Sequence, residues 1–458
     1  MSMDANDGTV TGRLARYLLQ ARAAALPEHV AEQAELRILD TLAAMLSGSR
    51  LAAGEAAIRF TRQQGGTAEA TVVGTDIRTT AIQAALANGM FAHADETDDF
   101  EPDTKAHPGS HVVPAALAMA ERNGRSGAEL VAAVTIGYDI CCRFLLALQQ
   151  RYVRGARRSA EGMGSTMGAA TAATALAHLD GELPVCYAFS YAAQQVSGIW
   201  SWVRDAEHVE KAFDFSGMGA RNGVTAAVMA ELGFTGVRDV FDGENNALAA
   251  LSGEPLPERL LDGLGERFFV TETSIKPYSV GYPIQAPLAA FLALRREFHF
   301  AVDDVERVVV RLPEDGARIV NGRDMPDVNC QHVLALAIVD GDVSFDSSHD
   351  RERMNDPRIR DARGRIELVA DKSLMNPAAA RSGHVAVTRR DGSVVERFVS
   401  HAPGTKENPM NRTAVEAKAR ALIAPVLGDS QTLRLLETLR NLRDLDDVRR
   451  LGPLLSAS

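Results

Sequence analysis

Six carboxylates, Asp95, Glu96, Asp98, Asp99, Glu101 and Asp103, crowd one short segment of this chain, just ahead of His107-Pro108-Gly109-Ser110-His111. Carboxylates packed together raise one another's pKa. That turns an ordinary acid into a workable base near neutral pH. The segment lies between two apolar runs, Ala81 to Ala92 and Ala115 to Ala120, so it reads as an active-site loop held between buried helices. Asp98 and Asp99 are the candidate bases, with Glu96 and Phe100 beside them as candidate substrate contacts. The competing reading is a solvated acidic loop, or a cap for the segment that follows. A calcium loop is disfavoured, because the central glycine and distal glutamate are missing and Pro102 interrupts the run.

His107 precedes Pro-Gly and is expected on extended or turn backbone, away from a core face, where its imidazole can shuttle a proton. His111 is a candidate substrate contact, with a structural hydrogen bond into the turn as the alternative. Lys276 stands before Pro277, where the texture of the chain changes and a domain seam is expected, a common place for ligands. Its ammonium would pair with a substrate carboxylate and stabilise enolate-like charge. Lys211, in Glu210-Lys211-Ala212-Phe213, is a second cation for the same work. Tyr282 and Gln285 are candidate hydrogen-bond donors, against plain packing. Arg157, Arg158 and Arg221 could bind carboxylates, although a helix-surface role fits each as well. His208, close to Lys211, is a further imidazole to weigh.

Positioning these groups takes a large scaffold. At 458 residues the chain exceeds one ordinary core, and two domains are expected. Helical periodicity runs from about residue 12 to 270. Leu36, Leu39, Leu42, Met45 and Leu46 form one apolar stripe ending at Gly48; Ala128 to Leu148 and Met167 to Leu179 read as small-residue helices, and Ala226 to Leu232 as another. Thr67–Val73 is a candidate strand. After residue 270, Val305 to Leu312, Gly364 to Val369, His384 to Thr388 and Val394 to Val399 read as strands, the last two flanking the turn Arg390-Asp391-Gly392-Ser393. A helix is expected over Cys330 to Ile338, and helices return over Val415–Leu427 and Leu433–Leu442. The fold class is therefore mainly α: a large all-helical domain formed by both chain ends (1–270 and 405–458), with an inserted smaller α/β domain (271–404) that could act as a lid.

The net charge of −11, with no Lys/Arg-rich block, argues against nucleic acid and anionic membrane as partners. Met1 to Thr11 lacks the basic-then-apolar pattern of a signal peptide. The uncharged runs Gly162–His178 and Cys186–Val203 read as buried helices of a large core, not membrane spans. A cytoplasmic protein is expected. Cys141, Cys142, Cys186 and Cys330 show no metal-ligand spacing and supply no set for an iron–sulfur cluster.

In order and spacing, several stretches resemble the MmgE/PrpD family, which includes 2-methylcitrate dehydratase, cis-aconitate decarboxylase and iminodisuccinate epimerase. They are Leu39-Asp40-Thr41-Leu42-Ala43, the lead from Asn88-Gly89 to His93, His107-Pro108-Gly109 with Pro114-Ala115-Ala116-Leu117, Ala220-Arg221-Asn222-Gly223-Val224, Gly233-Phe234-Thr235-Gly236, Lys276-Pro277-Tyr278 and Asn408-Pro409-Met410. The resemblance implies a homodimer, no cofactor and no metal, and chemistry beside the carboxylates of a small anionic di- or tricarboxylic acid. It also supports His107, Lys276 and Lys211 as site residues. The chain departs from the family pattern in places. Glu96 and Phe100 stand where the decarboxylase branch carries Asp and Thr. Ser159 stands where a histidine is usual, and Val280 to Gln285 replace a Cys-Cys-Arg-x-x-His stretch. The expected activity is that of a 2-methylcitrate dehydratase-like hydro-lyase; the alternatives are an epimerase or other isomerase, a decarboxylase, and a non-catalytic metabolite-binding dimer.

Overall fold

The computed structural model describes residues 8–457, so most of the stretch read above for a leader lies outside the described residues. Two compact units emerge. The first takes the chain up to Ala94, Asp98–Thr273 and the chain from Arg412; the second takes Asp95–Thr97 and Ser274–Asn411.

The first unit is built from helices whose ends are written in the sequence. Ser126 and Glu129 form a reciprocal capping box at the start of Gly127–Leu148, satisfying backbone donors that would otherwise be orphaned. Helix Pro108–Asn123 has proline in its first turn and stops at Gly124, which adopts the left-handed conformation that glycine reaches without a Cβ penalty. Helix Ala160–Leu176 is buried along its whole length and packs against Gly127–Leu148 and Met218–Glu231. Its small residues permit this. A Cβ on Gly223 would stand 2.4 Å from the Ala170 amide nitrogen, and one on Gly168 2.7 Å from Cys141 Cβ. The helical backbones touch where larger residues would hold them apart. Gly127–Leu148 is long and apolar enough to cross a membrane, and 94% of its apolar window is buried by this chain.

The C-terminal helices join Glu28–Gly48 through paired buried charge. Lys418 Nζ lies 2.6 Å from Asp40 Oδ1, and Arg412 and Arg443 reach Glu35 at 2.8 and 2.7 Å. Pairing of this kind is what lets a carboxylate stay inside a helical core.

Two local expectations need correction. Only Ala70–Thr71 of the stretch Thr67–Val73 pairs, with Arg78–Thr79. The run Cys186–Val203 is not one buried helix: Glu182–Gln194 ends there, Gly198 takes φ 138°, and Trp200–Arg204 forms a separate 3-10 turn with no buried residue. Burial accounts for the first part, where Cys186, Ala188, Phe189 and Ala192 are buried; the second is uncharged without being buried.

The second unit carries a mixed four-stranded sheet in the order Ile366–Asp371, Val305–Pro313, Gly383–Arg389, Val394–Val399. The first pair is parallel, with Val308 opposite Ile366; the others are antiparallel, and Gly392 at φ 83° turns the hairpin. A parallel pair needs a long crossover, and helices Glu314–Val320, Cys330–Asp340 and Pro357–Gly364 supply it. Val308, Val310 and Leu312 alternate into a core shared with Phe291, Leu334 and Leu336.

Candidate active site

In the first unit, the end of helix Ala81–His93 and the start of helix Pro108–Asn123 bring two imidazoles to one carboxylate. His93 Nδ1 lies 2.7 Å from Asp98 Oδ2, and His107 Nδ1 lies 3.1 Å from the same oxygen. The first contact is a hydrogen bond; the second is close but not aligned as one. His93 and Asp98 are fully buried. Burial pushes the His93 pKa well below its ordinary value, against the pull of Asp98. A neutral imidazole donating Nδ1–H to Asp98 leaves Nε2 as an acceptor, and that nitrogen is buried with no hydrogen-bond partner.

Aromatic rings wall this group. Phe215 stacks on His93 at 4.4 Å between centroids, Phe100 meets His107 edge-on at 5.3 Å, and His208 lies 5.3 Å from His93. The Lys211 ammonium sits 5.1 Å from the Phe215 centroid and 5.7 Å from that of Trp202, close enough for attraction to the ring faces. Phe213–Gly217 forms a π turn, a wider helical turn often found at functional sites. The structure thus gathers Asp98, Phe100, His107, His208 and Lys211, and adds His93, Phe215, Trp202 and Asp214, which were not singled out as site residues.

Several expected residues are committed elsewhere. Asp99 accepts a 2.9 Å hydrogen bond from the Gly109 amide in the first turn of helix Pro108–Asn123, the capping role set against catalysis above. Its pKa is raised, chiefly by burial; the neighbouring charge of Asp98 adds less than the crowding argument implied. His111 Nε2 faces Cys141 Sγ at 3.4 Å in the core. Ser159 is fully buried and caps helix Ala160–Leu176: its oxygen accepts from Gly162 N at 3.2 Å and Trp202 Nε1 at 3.3 Å, and its hydroxyl bonds Asp214. With both lone pairs and the proton used, Ser159 holds its neighbours and has nothing left for a substrate. His107 is on non-helical backbone as expected, with φ −118° and ψ 69°, yet it is buried. The reason is that the helix it starts is itself in the core.

The arginines make other contacts. Arg157 and Arg158, with Trp200, Ser201 and Arg204, line an open cavity of about 620 Å³. Arg221 bonds Asn222 Oδ1 through Nε at 3.1 Å and through a terminal nitrogen at 3.0 Å.

The second unit contains the remaining candidates. Lys276 is fully buried; its ammonium donates to the Glu96 carbonyl at 2.8 Å and stands 3.6 Å from Glu96 Oε2. Glu96 takes φ 56°, a conformation costly for a residue other than glycine. Ser279 Oγ reaches Thr97 Oγ1 at 3.2 Å, so Lys276 and Ser279 together pin Asp95–Thr97. Tyr282 donates to Ser274 Oγ at 2.9 Å, and burial raises its pKa. Gln285 spends its amide on the carbonyls of Tyr278 and Val280, at 2.9 and 2.8 Å. It fixes the turn after Lys276 and has no donor to spare.

His93, Asp98 and His107 also have the composition of a metal site, with ligand atoms within 4.8 Å of one another. Ligands about 2.0–2.1 Å from a tetrahedral zinc stand roughly 3.3 Å apart. The 2.7 Å contact between His93 and Asp98 is instead a proton-sharing distance.

Sequence profiles of the MmgE/PrpD N-terminal and C-terminal domains match residues 12–260 and 278–444. The chain is 25% identical to human cis-aconitate decarboxylase, the match covering 94% of this chain and 91% of that protein. It is 24% identical to a cis-aconitate decarboxylase-like protein of Aspergillus oryzae, over 98% of each. It is also 24% identical to the cis-aconitate decarboxylase of Aspergillus terreus, over 98% of this chain and 96% of the other.

Proposed function

We propose, from the premise that this chain belongs to the MmgE/PrpD family, that it is a lyase acting beside a carboxylate of a small di- or tricarboxylic acid. The observation that carries the reading is the Asp98 carboxylate shared by His93 and His107 in a buried, aromatic-walled group. Such a group can hold a proton and pass it. A carboxylate behind an imidazole fixes its tautomer and stabilises the imidazolium that forms when the ring takes a proton. Removing a proton next to a substrate carboxylate leaves negative charge, and Lys211, seated on Phe215, is a cation placed to offset it. In a hydro-lyase, one imidazole takes the carbon-bound proton and the other protonates the hydroxyl that departs as water. The first C–H pair becomes the new double bond, and charge balances.

The relatives favour a second reading within the same class. All three named above are decarboxylases or decarboxylase-like. There the bond broken is carbon–carbon, carbon dioxide leaves, and an imidazolium returns a proton to the carbanion. Both reactions use the same array: dehydration needs one neutral imidazole and one imidazolium, decarboxylation an imidazolium.

Proton NMR in D2O distinguishes them. The protein, first dialysed against a chelator, is incubated with citrate, 2-methylcitrate, cis-aconitate and malate. A new alkene signal from a hydroxy acid supports the hydro-lyase. Conversion of cis-aconitate to a decarboxylated alkene carrying deuterium supports the decarboxylase. Binding without deuterium entry or product would sink the lyase reading and leave a metabolite-binding protein. Loss of turnover on chelation, restored by zinc, would reassign the two histidines and Asp98 as ligands.

A further inference from the structure

Asp214 lies on the π turn Phe213–Gly217, one residue before the ring that stacks on His93. It is buried, and it terminates a string of hydrogen bonds: Trp202 Nε1 donates to Ser159 Oγ, and Ser159 in turn bonds Asp214 Oδ2. Because Ser159 already accepts from Trp202 and Gly162, its one proton is left for a carboxylate, and Asp214 Oδ2 is a nearer acceptor than Glu161 Oε2 at 3.4 Å. Trp202 also packs edge-on against Phe215 at 4.8 Å and flanks the Lys211 ammonium. The string therefore runs directly behind the cation of the candidate site.

Two acidic groups face Asp214. Glu161, on the helix that Ser159 caps, and Glu210, beside Lys211, both disfavour its ionisation. Glu161 is paired with Arg154, and Glu210 is bonded by Ser201. Burial is the larger cause, and together these push the Asp214 pKa up to about 7, against hydrogen bonds from Ser159 and the Ile199 backbone.

We propose that Asp214 is a specificity-determining, positioning residue that serves as a neutral acid: the Trp202–Ser159–Asp214 string backs the Lys211 site, and that site accepts a carboxylate only while Asp214 carries its proton. An ionised Asp214 would set a buried negative charge behind Trp202, whose ring flanks the Lys211 ammonium. By linkage, a bound polycarboxylate must in turn favour the protonated form. The part of the proposal that concerns substrate rests on the reading given under Proposed function; the titration of Asp214 does not.

The two tryptophans of the chain, Trp200 and Trp202, make the test direct. In a Trp200→Phe protein, Trp202 fluorescence is followed from pH 5 to 9 without ligand, in the parent and with Asp214→Asn. In parallel, binding of cis-aconitate is measured by calorimetry at pH 6 and pH 8. The expected result is a fluorescence transition near neutral pH that Asp214→Asn abolishes. Affinity should fall by about tenfold from pH 6 to pH 8, and that fall should be lost in Asp214→Asn. A Ser159→Ala variant should keep the pH dependence of binding but uncouple it from Trp202. If Trp202 does not titrate, or if the transition survives in Asp214→Asn, the proposal is overturned. If Trp202 titrates through Asp214 but the polycarboxylate does not bind at any pH, the substrate reading fails and the specificity role fails with it.

Discussion

Replacing Asp98 by asparagine keeps the shape of the side chain, removes the charge that two imidazoles share and exchanges one acceptor oxygen for an N–H donor. The His107 ring nitrogen stands 3.1 Å from that carboxylate. At an effective dielectric of 20, two unit charges at this distance attract by about 5 kcal/mol. Solvent and neighbouring dipoles leave roughly half of that or more, so an imidazolium formed during turnover loses about 2.5–5 kcal/mol of support. At about 1.4 kcal/mol per factor of ten, kcat should fall roughly 10²–10⁴-fold, with KM changed far less because the charge is needed only once the proton has moved. The assay is deuterium entry into substrate by proton NMR, with circular dichroism showing that the variant is folded. An Asp98→Asn protein that exchanges within about fivefold of the parent would refute the shared-carboxylate mechanism. Asp99→Asn is the contrast: it caps helix Pro108–Asn123 through Gly109, and its loss should appear in stability before it appears in chemistry.

Gly223→Ala would drive a methyl group to 2.4 Å from the Ala170 nitrogen, and overpacking of this kind costs about 1–3 kcal/mol; an unchanged denaturation midpoint would contradict the close helix contact. His332 is buried, and burial with the nearby Arg363 and Arg353 pushes its pKa down to about 4. Its neutral form therefore contributes stability that is present above about pH 6.5 and is lost as pH falls toward 4, amounting to about 2 kcal/mol at pH 5. Urea titrations at pH 7 and pH 5 should show His332→Leu losing about that much less than the parent on acidification. Identical acid sensitivity in the two would show that His332 does not titrate as described.

The long elements were legible because one period governed each. Gly127–Leu148 has apolar residues all round, and the hairpin Gly383–Arg389 with Val394–Val399 announces itself through Asp391-Gly392 between alternating valines. In the site, sequence pattern could point to the acidic loop and His107, because carboxylates and Pro-Gly are conspicuous in one dimension. It could not say which oxygen faces which ring. His93 belongs to a quoted motif but looks like the last residue of an apolar helix, and only its 2.7 Å contact with Asp98 gives it a role. Asp214 sits in an unremarkable Phe-Asp-Phe stretch, and nothing in the string of letters shows a π turn. Conversely, Ser159 and Gln285 looked available because their amide and hydroxyl groups are polar. Backbone carbonyls claim the Gln285 amide, and such partners carry no residue type to read. The Gly162 amide, Trp202 and Asp214 claim the Ser159 hydroxyl, the last two from far along the chain.

The π turn at Phe213–Gly217 interrupts an otherwise helical run from Val209 to Glu231. Such a turn accommodates one residue more than an α-helix would use. Because the wider turn absorbs its extra residue, deleting one residue there would close it to an α-helix and leave His208 and Lys211 facing as they do. Deleting one residue from the α-helical stretch that follows would instead turn them by about 100° relative to the helix beyond it. The π turn is therefore a place where chain length can change by one residue without redirecting the cation. A single-codon gap here would keep the direction of Lys211 and remove the widened backbone that carries Asp214 and Phe215.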